Sequence, residues 1–268
     1  MNFVNFVKNV QDRTDSFVSV GLDIDAEKIP DFLKNKKDGL WIFIKEIIDA
    51  TSDVVCAYKV NFAFFEAMGE KGWKLLKKVS QAIPDNLISI ADGKRGDIGN
   101  TSEMYAKSIF KELNFTSATV NPYMGFDSVE PFIKDESRGI FLLALTSNKG
   151  AKDFQSLKVG KRKLFEEVIH QTKKWSNNNI GYVIGATKSS ELLNIRKIIP
   201  NAPLLIPGIG AQGGDLKSVV KNGITKNGRI IINSSRAILY ASSGVDFAEA
   251  ARKETIRLRE EINSNLKK

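Results

Sequence analysis

The chain has 268 residues, 42% hydrophobic and 26% charged, with a formal net charge of +9. This is globular composition with enough length to bury a sizeable core, and no apolar run approaches the about 18 residues that a membrane span needs. One cysteine and one histidine exclude an internal disulfide, a cysteine-rich zinc site and most other transition-metal sites.

The chain opens on MNFVNFVKNVQDR, which places Phe3, Phe6, Val7 and Val10 at helical spacing and has no signal-peptide pattern. The reading is therefore a soluble, cytoplasmic protein. Strands are predicted over 17–22, 54–60, 87–91, 117–120, 140–145, 180–185, 204–206 and 229–232. Cys56 falls in the apolar run 54–57 and reads as a buried, inert thiol. Asn100 with Glu103 predicts an N-terminal helix cap, and Ala106, Ile109, Phe110 and Leu113 share one face of the helix that follows. His170 follows Val168 and Ile169 in a helical pattern and reads as a surface or half-buried position, which gives a Ser-His-Asp mechanism no support. Asp246 with Glu249 opens the last helix. Several strands are nearly continuous in apolar residues, as in parallel sheets covered on both faces. Eight such strands alternating with helices favour a single (β/α)8 TIM barrel over residues 1–268, with a doubly wound open sheet as the alternative.

The lysines are scattered over helix faces (Lys74, Lys77 and Lys78; 161–163; Lys267 and Lys268) without a nucleic-acid motif. They read as a solvated basic surface that helps attract an anionic small molecule, not as a nucleic-acid site.

Chemistry is thereby left to Lys, Asp, Ser, Arg and backbone amides, and these cluster where the predicted strands end. The first strand finishes in Gly21-Leu22-Asp23 and the second in Lys59-Val60-Asn61, with Lys59 and Asn61 on one face. The third runs into IADGKRGDIGNT, residues 90–101. Alternation along a strand turns Asp92 and Lys94 the same way, whereas Asp97 lies beyond the strand end. A surface salt bridge is the plain alternative for such a pair, but two lysines converging with two aspartates call for a joint explanation. Asn121-Pro122-Tyr123 and Thr146-Ser147-Asn148 end the next two strands. A glycine-rich run, PGIGAQGG from Pro207, follows the seventh strand, and Asn233-Ser234-Ser235-Arg236 follows the eighth. In barrels these two loops commonly make a phosphate site from backbone donors, to which Arg236 adds a bidentate cation.

Together these segments closely resemble the orotidine 5'-phosphate decarboxylase family, in its bacterial branch of longer chains. The resemblance runs through GLD (21–23), YKVN (58–61), DGKRGDIGNT (92–101), NPYMG (121–125), TSN (146–148), PGIGAQGGD (207–215) and INSSRAI (232–238). It implies decarboxylation of orotidine 5'-monophosphate to UMP, the last step of UMP synthesis, with no metal or organic cofactor. It also implies that Lys59, Asp92, Lys94 and Asp97 form the catalytic array, with Lys94 protonating a C6 carbanion. Asp23 and Lys59 would hold the ribose hydroxyls, Ser147 the pyrimidine edge, Gln212 both base and phosphate, and Arg236 the phosphate beside Pro207 and Ser235. In a homodimer, Asp97 and Thr101 would reach the neighbouring subunit's site. Two positions depart from the family pattern: Leu145 stands where an arginine is expected, and Lys149 where relatives often carry proline. A metal-dependent sugar-phosphate aldolase or epimerase on the same barrel, with the motif's acids on Mg²⁺, is the alternative enzyme. A catalytically idle nucleotide-binding protein is the alternative from another class.

Overall fold

The computed structural model describes residues 1–176, 178–209 and 215–266. Eight parallel strands alternate with helices: β1 (Val18–Leu22), β2 (Ala57–Asn61), β3 (Ile88–Arg95), β4 (Ser117–Val120), β5 (Gly139–Leu145), β6 (Ile180–Ile184), β7 (Leu204–Pro207) and β8 (Ile230–Ser234). Each pairs with the next, and β8 returns to β1 with Ile232 opposite Val18, so the sheet closes into a barrel. Closure removes both sheet edges and rules out the doubly wound alternative. Every residue of β1, β4, β6 and β8 is buried, which is why these segments are mostly apolar and carry only small polar residues such as Ser19, Ser117, Asn233 and Ser234. Fully burying one Val, Ile, Leu or Phe side chain stabilises by about 1.5–3 kcal/mol, and the barrel interior and its helix shell contain dozens.

The first helix, Phe3–Thr14, forms as its spacing predicts, with the Asn2 side chain accepting the Asn5 N–H at 3.0 Å. It buries Phe3, Val7 and Val10 across the amino-terminal mouth of the barrel. There the Phe3 N–H donates to the Glu136 carbonyl (2.8 Å), and Gln11 Nε2 donates to the Ile230 carbonyl (2.7 Å). One end of the barrel is thus plugged, and the carboxyl ends of the strands remain open.

Two details differ from expectation. Asn100 caps nothing: the helix Gly99–Lys107 starts after an extended Ile98 without a side-chain cap, and Asn100 lies within its first turn. The chain turns instead at Gly99, whose φ of +51° a β-carbon would disfavour. A short antiparallel pair, Lys158–Val159 with Arg162–Lys163, also follows β5, where no strand was predicted. The last helix, Phe247–Leu266, does start after Asp246, whose carbonyl accepts the Ala250 N–H at 2.9 Å. Cys56 is fully buried, its thiol donating to the Val18 carbonyl at 3.2 Å, and burial pushes its pKa up to about 12. His170 is half-buried on the helix Leu164–Thr172. Among the described residues, no helix is long and apolar enough to cross a membrane.

Candidate active site

A cleft of about 340 Å³ opens at the carboxyl ends of the strands, floored by Leu143, Val183 and Leu205. On one side stands a chain of alternating charges. Lys59, on β2, places its ammonium 2.7 Å from Asp92 Oδ2 and 3.1 Å from Asp23 Oδ1. Lys94 reaches the other oxygen, Asp92 Oδ1, also at 2.7 Å. Lys59 and Asp92 are almost wholly buried, at 6% and 8% side-chain exposure, while Lys94 is 51% exposed and faces the open cleft.

Burial alone would raise the Asp92 pKa, but the Lys59 and Lys94 ammonium groups outweigh it and hold the carboxyl well below the ordinary carboxylate range. Burial would likewise lower the Lys59 pKa, but the Asp92 and Asp23 charges carry it above its ordinary value. The buried pair Asp92 and Lys59 is therefore charged at neutral pH. Within one subunit the fourth member is Asp23 rather than Asp97.

The backbone beneath the array is irregular. Ala91 pairs with Ala118 and Arg95 with Val120, so Asp92, Gly93 and Lys94 stand opposite Thr119 alone. This bulge puts Lys94 at φ +47°, a left-handed conformation that costs a non-glycine residue about 1–3 kcal/mol. On its far side Arg95 pairs with Glu66 and lies 5.7 Å from the Phe62 ring centroid and 5.2 Å from that of Tyr105. Simple alternation along β3 thus placed both side chains on the correct side, although the strand there is not regular.

Across the cleft, Pro207, Ser235 and Arg236 line the wall made by the loops after β7 and β8. Among the described residues, no carboxylate neutralises Arg236. The two walls meet where β1 and β8 converge, which requires Gly21: a β-carbon there would lie 2.0 Å from Ser235 Oγ. Ser147 and Asn148 line the cleft from the loop after β5. Gln155 holds that loop, accepting the Thr146 N–H at 2.8 Å and donating to Thr146 Oγ1 at 2.9 Å. The departure at Leu145 is buried in the core, off the cleft lining, and Lys149 is exposed in the loop.

Of the sequence-predicted site residues, Asp23, Lys59, Asp92, Lys94, Ser147, Pro207, Ser235 and Arg236 share this one cleft. Asp97 and Thr101 do not line it. The Asp97 carboxylate accepts the Ile98 N–H at 2.9 Å, and Thr101 borders a separate hollow beside Phe62, Trp73 and Met104. Gln212 lies outside the described residues, as does most of the glycine-rich run. Thr119 and Gln155 were missed. Both are ordinary in sequence, and their contacts depend on a bulge and a loop closure that no local pattern announces.

A (β/α)8 barrel with an alternating Lys/Asp chain facing an arginine that no described carboxylate neutralises defines an enzyme built for a small anionic substrate. The profile of the orotidine 5'-phosphate decarboxylase / HUMPS family matches residues 16–253. The orotidine 5'-phosphate decarboxylase of Christiangramia forsetii is 52% identical and covers 96% of each chain. That of Bacteroides fragilis is 47% identical and covers 100% of this chain and 99% of its own. The solved OMP decarboxylase of Leishmania donovani superposes with a TM-score of 0.85 at 36% identity, covering 100% of both chains. The chain belongs to the orotidine 5'-phosphate decarboxylase / HUMPS family and is an enzyme of its decarboxylase branch, which converts orotidine 5'-monophosphate to UMP in pyrimidine biosynthesis.

Proposed function

We propose that this chain decarboxylates orotidine 5'-monophosphate by electrostatics alone, with Lys94 as the proton donor. The observation that carries this reading is the grip of two ammonium groups on the buried Asp92 carboxylate, one of them exposed to the cleft. Arg236, with Pro207 and Ser235, binds the 5'-phosphate, and Asp23 and Lys59 bind the ribose hydroxyls. Ser147 meets the pyrimidine edge, and Gln212 bridges base and phosphate. The substrate carboxylate then lies near Asp92, and its repulsion from that fixed charge is relieved as CO₂ departs. The C6–carboxylate bond breaks, its electron pair stays on C6, and the Lys94 ammonium stabilises that charge before giving it a proton. Lys94 regains a proton from solvent. Phosphate binding supplies remote binding energy that organises the site.

The metal-dependent alternative fits this geometry less well. Both Asp92 oxygens are engaged by ammonium groups, which would repel a divalent cation.

The working unit in this reading is a homodimer, with Asp97 and Thr101 serving the neighbouring site. Both lie outside their own subunit's cleft. The loops after β3 and β4 touch, a β-carbon at Gly96 falling 3.5 Å from the Met124 methyl. They expose Ile98, Tyr123 and Met124, Tyr123 at 88%, and apolar exposure of that kind supports the dimer reading.

The test is the absorbance of orotidine 5'-monophosphate after adding purified protein, with and without EDTA. Conversion to UMP unaffected by EDTA is the expected result. No conversion by folded protein overturns the reading, and conversion that EDTA abolishes would make the chemistry metal-dependent.

A further inference from the structure

In a regular parallel pair, the strand main chain is bonded by the neighbouring strand's backbone. The β3 bulge takes Lys94 off that ladder, and a side chain replaces the lost partner. Thr119 Oγ1 accepts the Lys94 N–H at 2.9 Å and lies 3.0 Å from Asp92 Oδ1. The direction of both bonds is forced, because a backbone N–H only donates and an ionised carboxylate only accepts. The hydroxyl's single proton therefore goes to Asp92 and its lone pair faces Lys94. Thr119 is 1% exposed, and its β-branched side chain is restricted at χ1, so the hydroxyl is held in place. Hydroxyls also join β3 to β4 at the amino end, where Ser89 and Thr116 exchange bonds of 2.8 and 2.9 Å, but those touch no charged group.

We propose that Thr119 is a positioning residue for the decarboxylation, an inference that rests on the reading above. Its hydroxyl holds the Lys94 backbone in the left-handed bulge and orients the Asp92 carboxylate at the same time. The proton donor and the fixed negative charge are thereby set as one unit relative to C6. With Thr119 bonded to Oδ1 beside Lys94, and Lys59 on Oδ2, Asp92 has donors on both oxygens and cannot swing freely. A valine in the same space would leave the Lys94 N–H unpaired and release one of those donors.

The experiment compares wild type, Thr119→Val and Thr119→Ser in two assays: steady-state turnover of orotidine 5'-monophosphate, and exchange of the C6 proton of UMP for deuterium in deuterated water. The second assay reads carbanion formation and proton transfer without loss of CO₂. Thr119→Val is expected to lower kcat roughly 10- to 100-fold and to slow the C6 exchange in parallel. KM and the affinity for UMP should stay within about threefold, because the groups that bind phosphate and ribose are untouched. Thr119→Ser, which keeps the hydroxyl, should stay within about threefold of wild type throughout. A folded Thr119→Val protein with wild-type kcat, or a serine variant that falls as far as the valine one, overturns the inference. If the valine variant does not fold, Thr119→Ala against Thr119→Ser carries the same contrast. Failure of the wild-type chain to turn over substrate would instead sink the decarboxylase reading itself.

Discussion

The two ends of the barrel both bury a cation, and they do so in opposite ways. At the amino end Arg196 is buried with no carboxylate partner among the described residues. Its guanidinium donates to the backbone carbonyls of Gly223, Ile199, Ala202 and Arg229, tying together the segments that lead into β7 and β8. Burial lowers its pKa to about 9, so it is still cationic at neutral pH. At the carboxyl end Lys59 is satisfied by carboxylates, and its chain of charges ends in Lys94, which opens onto a cavity. The amino-end cation spends its donors on backbone carbonyls of the fold. The carboxyl-end array keeps an exposed ammonium and a strained backbone, and faces an arginine that no described carboxylate neutralises. Burial of charge does not by itself mark function; charge with unspent capacity facing a cleft does.

Substitutions at the two ends should therefore separate activity from stability. Asp92→Asn removes the charge that both ammonium groups hold, and kcat should fall by at least about 1000-fold in steady-state assays. A smaller loss would mean that this carboxylate is mainly structural. Arg196→Met should do the reverse. Denaturant unfolding should show about 3–5 kcal/mol of lost stability from stranding several buried carbonyls, while kcat per folded molecule is unchanged. Arg236→Ala should raise KM about 100-fold, the loss of a bidentate charged contact, with a smaller change in kcat.

Mixing Lys94→Ala with Asp97→Ala protein sharpens the comparison across subunits. If Asp97 serves the neighbouring site, each mixed dimer contains one intact site, and activity should return to about a quarter of wild type after subunit exchange. No recovery, with exchange verified, would place Asp97 in its own subunit's site.

The smallest effect concerns pH. The folded-state pKa of Asp92 lies below its ordinary value of 3.8, so its stabilisation is complete above that value and is lost as pH falls through the folded pKa. Lys59 is raised above 10.5, so its contribution is complete below that value and is lost as pH rises through the folded pKa. Unfolding free energy measured from about pH 7 downward should therefore drop below about pH 4, and less steeply in Asp92→Asn. Equal slopes in the two proteins would remove Asp92 from the acid transition.

Much of this architecture was legible in the sequence because parallel strands buried on both faces leave mostly apolar runs, and the polar residues that end those runs fall on one rim. Asp23, Lys59, Asp92 and Lys94 could be grouped from strand ends alone. The strand boundaries were less legible. β3 continues to Arg95 through charged residues, since a bulge and not an apolar run defines its end. Thr119 was illegible for a related reason. Within Ser117–Val120 a threonine looks like strand filler, and only the pairing across the bulge shows that it touches both Lys94 and Asp92. At Asn100 the cap pattern misled because Gly99 already makes the turn.

The central claim is that Lys94 supplies both charge stabilisation and the proton at C6. The most direct measurement is UMP formation from orotidine 5'-monophosphate by Lys94→Ala beside wild type, with folding checked by thermal melts and site integrity by UMP binding. The account predicts a melt close to wild type, retained UMP binding, and turnover lower by at least about 10,000-fold. Near-normal turnover by the folded variant would contradict it.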